Sequence, residues 1–340
     1  MPDVRIDALG LRRLIRDRRG SFEPLFASGV WRYRELLPPI ASHAIVTMNE
    51  GNVPVYAARA GGAYADARNV SYLHLGMNPT GSFKDLGMTV AISAALDAGA
   101  GAVACASTGN TASSMAAYAS RAGLRSYAVV PRGRVSPAKL AQMREYGVTV
   151  VDVDGSFDDA FAALRERDDA LVVNSVNAFR IEGQKCAAFI LLEARAWKVP
   201  DWVILPGGNL GNISAIAKGF REARALGLID RLPRLALIRA ARGIETTATA
   251  IAVASPTSQR RAARELERFN GVERAVDDDA MLAAKAVIGR EGIGCEPASA
   301  AALAGLRALR QEGSIAYDAD AVVILTGHVL KDARSIDDAA

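Results

Sequence analysis

One lysine in this chain stands where a turn meets an apolar helix, an arrangement suited to amine chemistry. Lys84 lies in residues 78–85, which read Asn-Pro-Thr-Gly-Ser-Phe-Lys-Asp, and the proline and glycine indicate a turn. Ser82 and Asp85 have the spacing of a capping box ahead of the apolar run 86–96. A helix dipole and apolar surroundings would both disfavour the ammonium form of the lysine, which suits Schiff-base chemistry. An ordinary capped helix whose lysine reaches water fits these residues equally well.

Two further loops have the composition of ligand-binding loops between a strand and a helix. Residues 208–212, Gly-Asn-Leu-Gly-Asn, follow the predicted strand 202–205, and their backbone N–H groups could converge on a phosphate. Residues 107–111, Ser-Thr-Gly-Asn-Thr, occupy a similar junction, where ligands collect in open α/β sheets. Taken alone, the first loop could equally be a tight turn and the second an ordinary helix cap. Together with an activated lysine, the two loops predict one site.

Polar residues also follow two other predicted strands. Residues 174–185 contain Asn174 and Arg180, whose side chains could donate hydrogen bonds to a buried phosphate. Thr326 directly follows the last predicted strand, 321–325, and these residues alone favour a structural role for it.

The composition argues against several other classes of function. The net charge of +4 is spread over segments of mixed sign, which disfavours nucleic-acid binding but would help an anionic substrate to approach. The three cysteines lie far apart and the three histidines lack ligand spacing, so we expect free thiols, a reducing compartment and no metal site. We expect a cytoplasmic protein without membrane contact, because neither a signal peptide nor a membrane-spanning run is recognisable.

The pattern of apolar segments predicts two α/β domains. The chain has 340 residues, half of them hydrophobic and few of them aromatic, which allows a large core and suits α/β layers. A small domain is predicted over residues 86–185, where strands and helices alternate as they do around a parallel sheet. Its predicted strands are 103–106, 126–130, 149–153 and 170–173. Its predicted helices are 111–122, 137–146 and 157–167, the last two with Ser136 and Ser156 as N-caps.

The rest of the chain predicts a large domain, residues 1–85 plus 186–340, that begins with an N-terminal arm. Its predicted strands are 202–205, 235–238 and 321–325. Its predicted helices are 181–197, which starts just before the domain boundary, 213–226, 261–269, 279–288 and 298–310.

Residues 78–85 closely resemble the lysine motif of the threonine synthases, which belong to fold-type II of the pyridoxal-phosphate (PLP) enzymes. The resemblance extends from about Trp31 to Lys331. It implies two mostly parallel twisted sheets flanked by helices, and a homodimer. It further implies a lyase that converts O-phospho-L-homoserine and water into L-threonine and phosphate, with Lys84 holding PLP and moving the α and β protons.

The same resemblance assigns roles to the polar groups. Cofactor contacts are implied for Lys84, Asn110, Gly208, Asn209, Leu210, Gly211, Asn212 and Thr326. Substrate contacts are implied for Ser107, Thr108, Thr111, Asn174, Arg180 and Asn209. Asn110 would meet the 3′-oxygen of PLP, and Thr326 its pyridine nitrogen. A neutral hydroxyl there does not enforce a protonated pyridine, so the cofactor is a weaker electron sink.

Some residues depart from the family pattern. Leu86 stands where arginine is common, Cys186 replaces a threonine, and residues 252–255 read Ala-Val-Ala-Ser where the family has an Arg-Ile-Gly segment. Residues 240–243 stand where family members carry a longer segment. A dehydratase of serine or threonine, a related enzyme of a specialised pathway, and a PLP-binding protein without activity are therefore alternatives. Retention of every group expected around the substrate phosphate favours threonine synthase.

Overall fold

A computed structural model describes residues 7–133, 137–175 and 177–332; the predicted N-cap Ser136 lies outside them. The helices are α1 (Ala8–Arg18), α2 (Pro24–Ala27), α3 (Arg59–Ala65), α4 (Lys84–Asp97), α5 (Asn110–Arg121), α6 (Pro137–Glu145), α7 (Phe157–Arg165), α8 (Ala178–Gln184), α9 (Cys186–Ala194), α10 (Gly211–Ala225), α11 (Gln259–Arg268), α12 (Asp278–Arg290) and α13 (Pro297–Gln311). The strands are β1 (Val55–Ala57), β2 (Asn69–His74), β3 (Ala102–Ala106), β4 (Arg125–Pro131), β5 (Thr149–Val153), β6 (Leu171–Val172), β7 (Trp202–Pro206), β8 (Arg234–Ala240), β9 (Val272–Val276) and β10 (Asp320–Leu325). Within these described ranges, no helix has both the length and the apolar character needed to cross a bilayer.

The strands form two sheets. The larger sheet has the order β1-β2-β10-β7-β8-β9 and the smaller sheet the order β5-β4-β3-β6. Strand β1 pairs with β2 in antiparallel orientation, and the other neighbouring strands pair in parallel. The predicted α/β fold, with two mostly parallel sheets flanked by helices, is confirmed.

Both sheets reverse their strand order next to residues that the sequence indicates as ligand-binding. In the smaller sheet the chain runs from β3 outward through β4 and β5, and then returns to β6 on the other side of β3. In the larger sheet it runs from β7 through β8 and β9, and then to β10 on the other side of β7. Ligands of open α/β sheets bind beyond the carboxyl ends of the strands at such reversals. Residues 107–111 and Asn174 flank one reversal, and residues 208–212 and Thr326 flank the other.

Close packing around the central strands fixes the elements that carry these residues. Strands β3 and β7 are buried along their whole length, as is typical of parallel strands covered by helices. Helix α13 approaches β8 so closely that a Cβ at Gly305 would lie 2.3 Å from the Ile238 side chain. The first turn of α13 reaches the end of β10, where Ser299 Oγ accepts a hydrogen bond from the Thr326 N–H over 3.0 Å.

The predicted helices and strands are confirmed with small differences at their ends, except for the helix over 181–197. That prediction is wrong as a single element, because the chain forms α8 and α9 with Lys185 between them. Lys185 keeps helical backbone angles, φ −59° and ψ −24°, and the division lies in the hydrogen bonding, because its carbonyl accepts from the Ala188 N–H, three residues on, over 3.0 Å. Strands β1 and β9 were not predicted, because β1 has only three residues and charged residues interrupt the apolar pattern of β9. Strand β2 and helix α3 were not predicted either.

Candidate active site

The turn before Lys84 is joined to the end of β10. The Phe83 N–H donates to the Thr326 carbonyl over 2.9 Å, and the His328 N–H donates to the Gly81 carbonyl over 2.9 Å. Lys84 is the first residue of α4, so these bonds place its backbone beside the end of a strand that is distant in sequence. The structure therefore brings Lys84 and Thr326 together.

The capping box predicted at the start of α4 is wrong. Phe83 occupies the N-cap position without a side-chain cap, and the Ser82 hydroxyl accepts only a long hydrogen bond from the Lys84 N–H, over 3.4 Å. The Asp85 carboxylate turns back and accepts hydrogen bonds from the Thr80 N–H (2.7 Å), the Thr80 hydroxyl (2.6 Å) and the Ser114 hydroxyl (2.5 Å). Burial raises the pKa of Asp85 to about 6, although these hydrogen bonds oppose the shift. The carboxylate thus fixes the lysine turn against α5.

The Lys84 amine is adapted to lose its proton near neutral pH. The side chain as a whole is half-buried, but desolvation of the amine is the largest cause that lowers its pKa, to about 7. The positive charge of Arg180 adds to this shift and the negative charge of Glu296 opposes it. The amine also lies 4.1 Å from the centroid of the Phe83 ring. A lysine with such a pKa can serve as nucleophile and as proton carrier.

A buried carboxylate that the sequence did not reveal, Glu296, faces Asn110. Asn110 begins α5, and its Nδ2 lies 3.2 Å from both Oε1 and Oε2 of Glu296. The Asn110 Oδ1 is buried and has no hydrogen-bond partner among the described residues. Burial raises the pKa of Glu296, against the effect of Lys139 and the Asn110 hydrogen bond. A signal was present: Pro297 at the first helical position of α13 places Glu296 at the N-cap.

The loop 208–212 has unsatisfied polar groups at the start of a helix. It connects β7 to α10, and Leu210 makes the sharp turn with left-handed backbone angles, φ 61° and ψ 7°. The first N–H groups of a helix and its dipole favour a bound anion. Asn212 is only 9% exposed, yet neither its amide oxygen nor its amide nitrogen has a hydrogen-bond partner in the described part of the chain. Such a buried and unpaired amide indicates that a polar ligand completes the loop.

Arg180 and Asn174 lie at the edge of the smaller sheet and differ in their bonding. Arg180 is 1% exposed; its Nη1 donates to the Val173 carbonyl over 3.2 Å, while its Nε has no partner among the described residues. Burial lowers the pKa of Arg180 to about 10. The Asn174 amide instead exchanges two hydrogen bonds with the backbone of Ala106, over 3.0 and 2.9 Å. Asn174 therefore holds the end of β3, from which residues 107–111 emerge, and keeps one amide hydrogen for a ligand.

The other predicted substrate residues lie around the same strand ends. Three of them are half-buried around the start of α5: Ser107, Thr108 and Thr111. The Asn209 Oδ1 accepts a hydrogen bond from the Thr257 N–H over 3.3 Å, so the segment that follows β8 closes over the loop 208–212. A Cβ at Gly211 would lie 3.9 Å from Ile181 Cδ1, which places this loop against the helix that carries Arg180.

Comparison with known proteins identifies the family to which this site belongs. A family model described as pyridoxal-phosphate dependent enzyme matches residues 46–327. The threonine synthase of Methanosarcina acetivorans is 40% identical over 332 residues, which cover 91% of this chain and 82% of that protein. The threonine synthase of Synechocystis is 44% identical over 317 residues, which cover 88% of this chain and 82% of that protein. This chain belongs to the threonine synthase family.

A solved structure resembles this threonine synthase family member more distantly. It is the processed form of threonine deaminase isoform 2 from Solanum lycopersicum, with a TM-score of 0.74, 20% identity and 94% of each chain covered. At this identity the likeness shows the fold alone.

The site of this threonine synthase family member fits PLP. The cofactor requires an amine for its aldehyde and donors for its phosphate. Lys84 offers an amine with a pKa of about 7, which is partly neutral under physiological conditions. The unpaired Asn212 amide lies at the N-terminal end of α10, where a phosphate is favoured. Both anchors that PLP requires are therefore present.

The cysteines of this threonine synthase family member are unreactive. Cys105, Cys186 and Cys295 are buried free thiols, and burial raises the pKa of each to about 12. None of them is a thiolate at neutral pH. Within the described ranges, no three or more His, Cys, Asp or Glu side chains are grouped so that they could hold a metal ion.

Proposed function

We propose that the protein is a threonine synthase, a PLP-dependent lyase that converts O-phospho-L-homoserine and water into L-threonine and phosphate. The family and the cofactor follow from its relatives. One observation supports a phosphorylated substrate: the guanidinium of Arg180 is buried, and no described carboxylate forms an ion pair with it. A buried cation without a counter-ion is unfavourable, and a substrate phosphate would supply the missing charge.

We assign the cofactor contacts as follows. The amine of Lys84 would bond the aldehyde, and residues 208–212 would surround the phosphate with backbone N–H groups and the amides of Asn209 and Asn212. Asn110 would meet the 3′-oxygen, and the Thr326 hydroxyl the pyridine nitrogen. When bound, PLP withdraws electrons from the α and β carbons of the amino acid.

Lys84 would carry the protons of the reaction. With a pKa of about 7 its amine is partly neutral at physiological pH, so it could take a proton from the α carbon. It would then donate that proton to the former aldehyde carbon, become neutral again, and take a proton from the β carbon.

Arg180 would hold the negative charge that grows on the leaving phosphate. Ser107, Thr111 and the Asn209 amide would add hydrogen bonds to the same group, while Asn174 holds the end of β3 through Ala106. Charge-assisted bonds of this kind are stronger than neutral ones and favour departure of the phosphate. A phosphate retained on Arg180 would also orient the water that adds at the β carbon.

Two departures from the family pattern lie inside the core and are compatible with this function. Leu86 and Cys186 are fully buried in one apolar cluster, so they replace polar family residues without exposing an apolar surface to the site. The short segment after β8 is held in place, because the Thr246 hydroxyl and the Thr247 N–H donate to the Asp278 carboxylate over 2.5 and 2.8 Å.

Release of phosphate from O-phospho-L-homoserine by the PLP-loaded protein tests the proposal. We expect phosphate and threonine in equal amounts, and neither product from the Lys84→Ala variant. Serine, threonine and O-phosphoserine complete the substrate panel. Ammonia from serine or threonine without phosphate release would instead assign a dehydratase, and cofactor absorbance without any product would assign a binding protein.

We further propose a cytoplasmic homodimer that does not bind nucleic acid. The large domain would comprise residues 1–85 plus 186–340 and the small domain residues 86–185, each built on one sheet. The resemblance of the chain to the threonine synthases supports the dimer. Light scattering would test the dimer, and limited proteolysis the domain boundary.

A further inference from the structure

A serine that lies outside the predicted site bonds the Thr326 hydroxyl. Ser299 is in the first turn of α13 and fully buried, and its Oγ lies 3.0 Å from Thr326 Oγ1. The same Ser299 oxygen accepts two backbone hydrogen bonds, from the Thr326 N–H over 3.0 Å and from the Gly327 N–H over 2.8 Å. Thr326 itself is 4% exposed, so water does not readily compete for these bonds.

The direction of the bond between the two hydroxyls follows from their protons and lone pairs. A serine hydroxyl has one proton and two acceptor lone pairs. The two N–H groups use both lone pairs of Ser299, so Ser299 cannot accept from Thr326 and must donate. Its proton can reach Thr326 Oγ1 at 3.0 Å or the Gly327 carbonyl at 3.3 Å. That carbonyl already accepts from the Glu296 N–H over 3.0 Å, so Thr326 is the nearer and less occupied acceptor.

We propose that Ser299 is a positioning residue that commits the Thr326 hydroxyl to donate its own proton to the cofactor ring. Ser299 donates to Thr326 Oγ1, and within the described ranges this oxygen has no second hydrogen-bond partner. The Thr326 proton is then available to a pyridine nitrogen that carries a lone pair. The inference rests on the proposed placement of Thr326 at the ring nitrogen of PLP, and it adds that Ser299 selects the unprotonated ring.

Loss of the Ser299 hydroxyl should release this constraint. The Thr326 hydroxyl could then rotate, and its oxygen could accept a proton from the ring nitrogen as readily as donate one to it. The unprotonated ring would no longer be favoured over the protonated one, and PLP would lose part of a hydrogen bond.

The ¹⁵N NMR signal of protein loaded with PLP labelled at the ring nitrogen tests the proposal. We expect the unmodified protein to give the signal of an unprotonated, hydrogen-bonded pyridine. In Ser299→Ala the signal should move away from that position, and PLP affinity should fall by about three- to tenfold, the usual effect of one neutral hydrogen bond. Ser299→Cys, which keeps the side-chain volume but donates weakly, should move the signal in the same direction. This second variant guards against poor folding of Ser299→Ala.

Ser93→Ala is the matched control. Ser93 is another fully buried serine, whose hydroxyl accepts from the Val46 N–H over 2.8 Å and donates to the Thr89 carbonyl over 2.7 Å. Its loss should leave the ring nitrogen signal in place.

Thr326→Val separates this inference from the assignment on which it rests. An unchanged signal in Thr326→Val would mean that Thr326 does not meet the ring nitrogen. The assignment of Thr326 and the role of Ser299 would then both fail. A signal that moves in Thr326→Val but stays in place in both folded Ser299 variants would overturn the role of Ser299 alone. A protonated ring in the unmodified protein would also overturn it.

Discussion

Lys84 and Lys185 both carry desolvated amines, yet their surroundings give these amines opposite character. Burial lowers the pKa of Lys185, but hydrogen bonds from its amine to Glu182 at 2.7 Å and Glu222 at 2.8 Å outweigh burial and raise it. Burial also lowers the pKa of Lys84, to about 7, and there the neighbouring Arg180 adds to the shift. A buried lysine with two carboxylate partners is thus a structural cation, and one beside another cation becomes a reactive amine.

The difference between the two lysines has a local origin. Glu182 lies three residues before Lys185, and side chains at this spacing share one face of a helix. Asp85 follows Lys84 directly, and its carboxylate points back to Thr80. The nearest carboxylate in sequence is therefore used to shape the turn and not to neutralise the amine.

Replacement of Lys84 should have the largest effect on activity. Lys84→Ala removes both the bond to PLP and the proton carrier, so we expect phosphate release from O-phospho-L-homoserine to fall by about 10³-fold or more. Initial rates at saturating PLP measure this loss. A rate within about tenfold of the unmodified protein would place the reactive amine elsewhere, because a single general acid or base contributes at least about 10²-fold.

Replacement of Arg180 should act on the substrate more than on the cofactor. In Arg180→Leu we expect kcat/KM for O-phospho-L-homoserine to fall by about 10²-fold, because a buried charge-assisted contact is lost, and PLP affinity to change by less than about tenfold. Arg132→Leu, at an exposed arginine that pairs with Asp154, is the control. Equal losses in cofactor affinity and in kcat/KM would contradict a phosphate contact.

Replacement of Lys185 should reduce stability and spare the chemistry. Lys185→Met leaves Glu182 and Glu222 with Lys218 as their remaining cation, so we expect a loss of about 1–3 kcal/mol in the free energy of unfolding. Lys198→Met, at an exposed lysine, should change it by less than about 0.5 kcal/mol. Denaturant titration measures both. If folded Lys185→Met were as inactive as Lys84→Ala, the distinction between the two lysines would fail.

The smallest expected effect is a shift in the pH dependence of PLP attachment. Because only the neutral amine attacks the aldehyde, the attachment rate should rise with pH through about 7 and then level off. Glu296 raises the pKa of Lys84 and Arg180 lowers it, so Glu296→Gln should move the midpoint to lower pH and Arg180→Leu to higher pH. Each shift should be about one pH unit or less.

Stopped-flow absorbance of apoprotein mixed with PLP measures these midpoints. Glu273→Gln, at a largely exposed glutamate, is the control and should leave the midpoint in place. Shifts in the same direction for Glu296→Gln and Arg180→Leu would show that charge does not set the reactivity of Lys84.

Two similar local patterns show how far the sequence could predict the structure. Ser156 and Asp159 form the capping box of α7, which confirms Ser156 as N-cap. Ser82 and Asp85 have the same spacing but form none, because Phe83 is tied to β10 and the Asp85 carboxylate finds partners before the helix and on α5. Local signals predicted most strand and helix positions, but tertiary contacts determined how the start of α4 is capped.

The residues of the candidate site that the sequence did not reveal depend on contacts between distant segments. Glu296 precedes the Ala-rich helix α13 and contacts Asn110 of α5. Ser299 lies in the first turn of α13 and contacts Thr326, which follows β10. The use of Asn174 to hold Ala106 likewise depends on the pairing of β3 with β6. Residue types and loop positions indicated a PLP site, whereas the hydrogen bonds that orient its groups required the fold.

Reduction of the PLP-loaded protein with borohydride, followed by peptide mass spectrometry, tests most directly whether Lys84 is the reactive amine. We predict one reduced phosphopyridoxyl group per chain, on the peptide that contains Lys84, and none on the peptide that contains Lys185. A label on Lys185 or on any other lysine, or protein that takes up no label at all, would contradict the account.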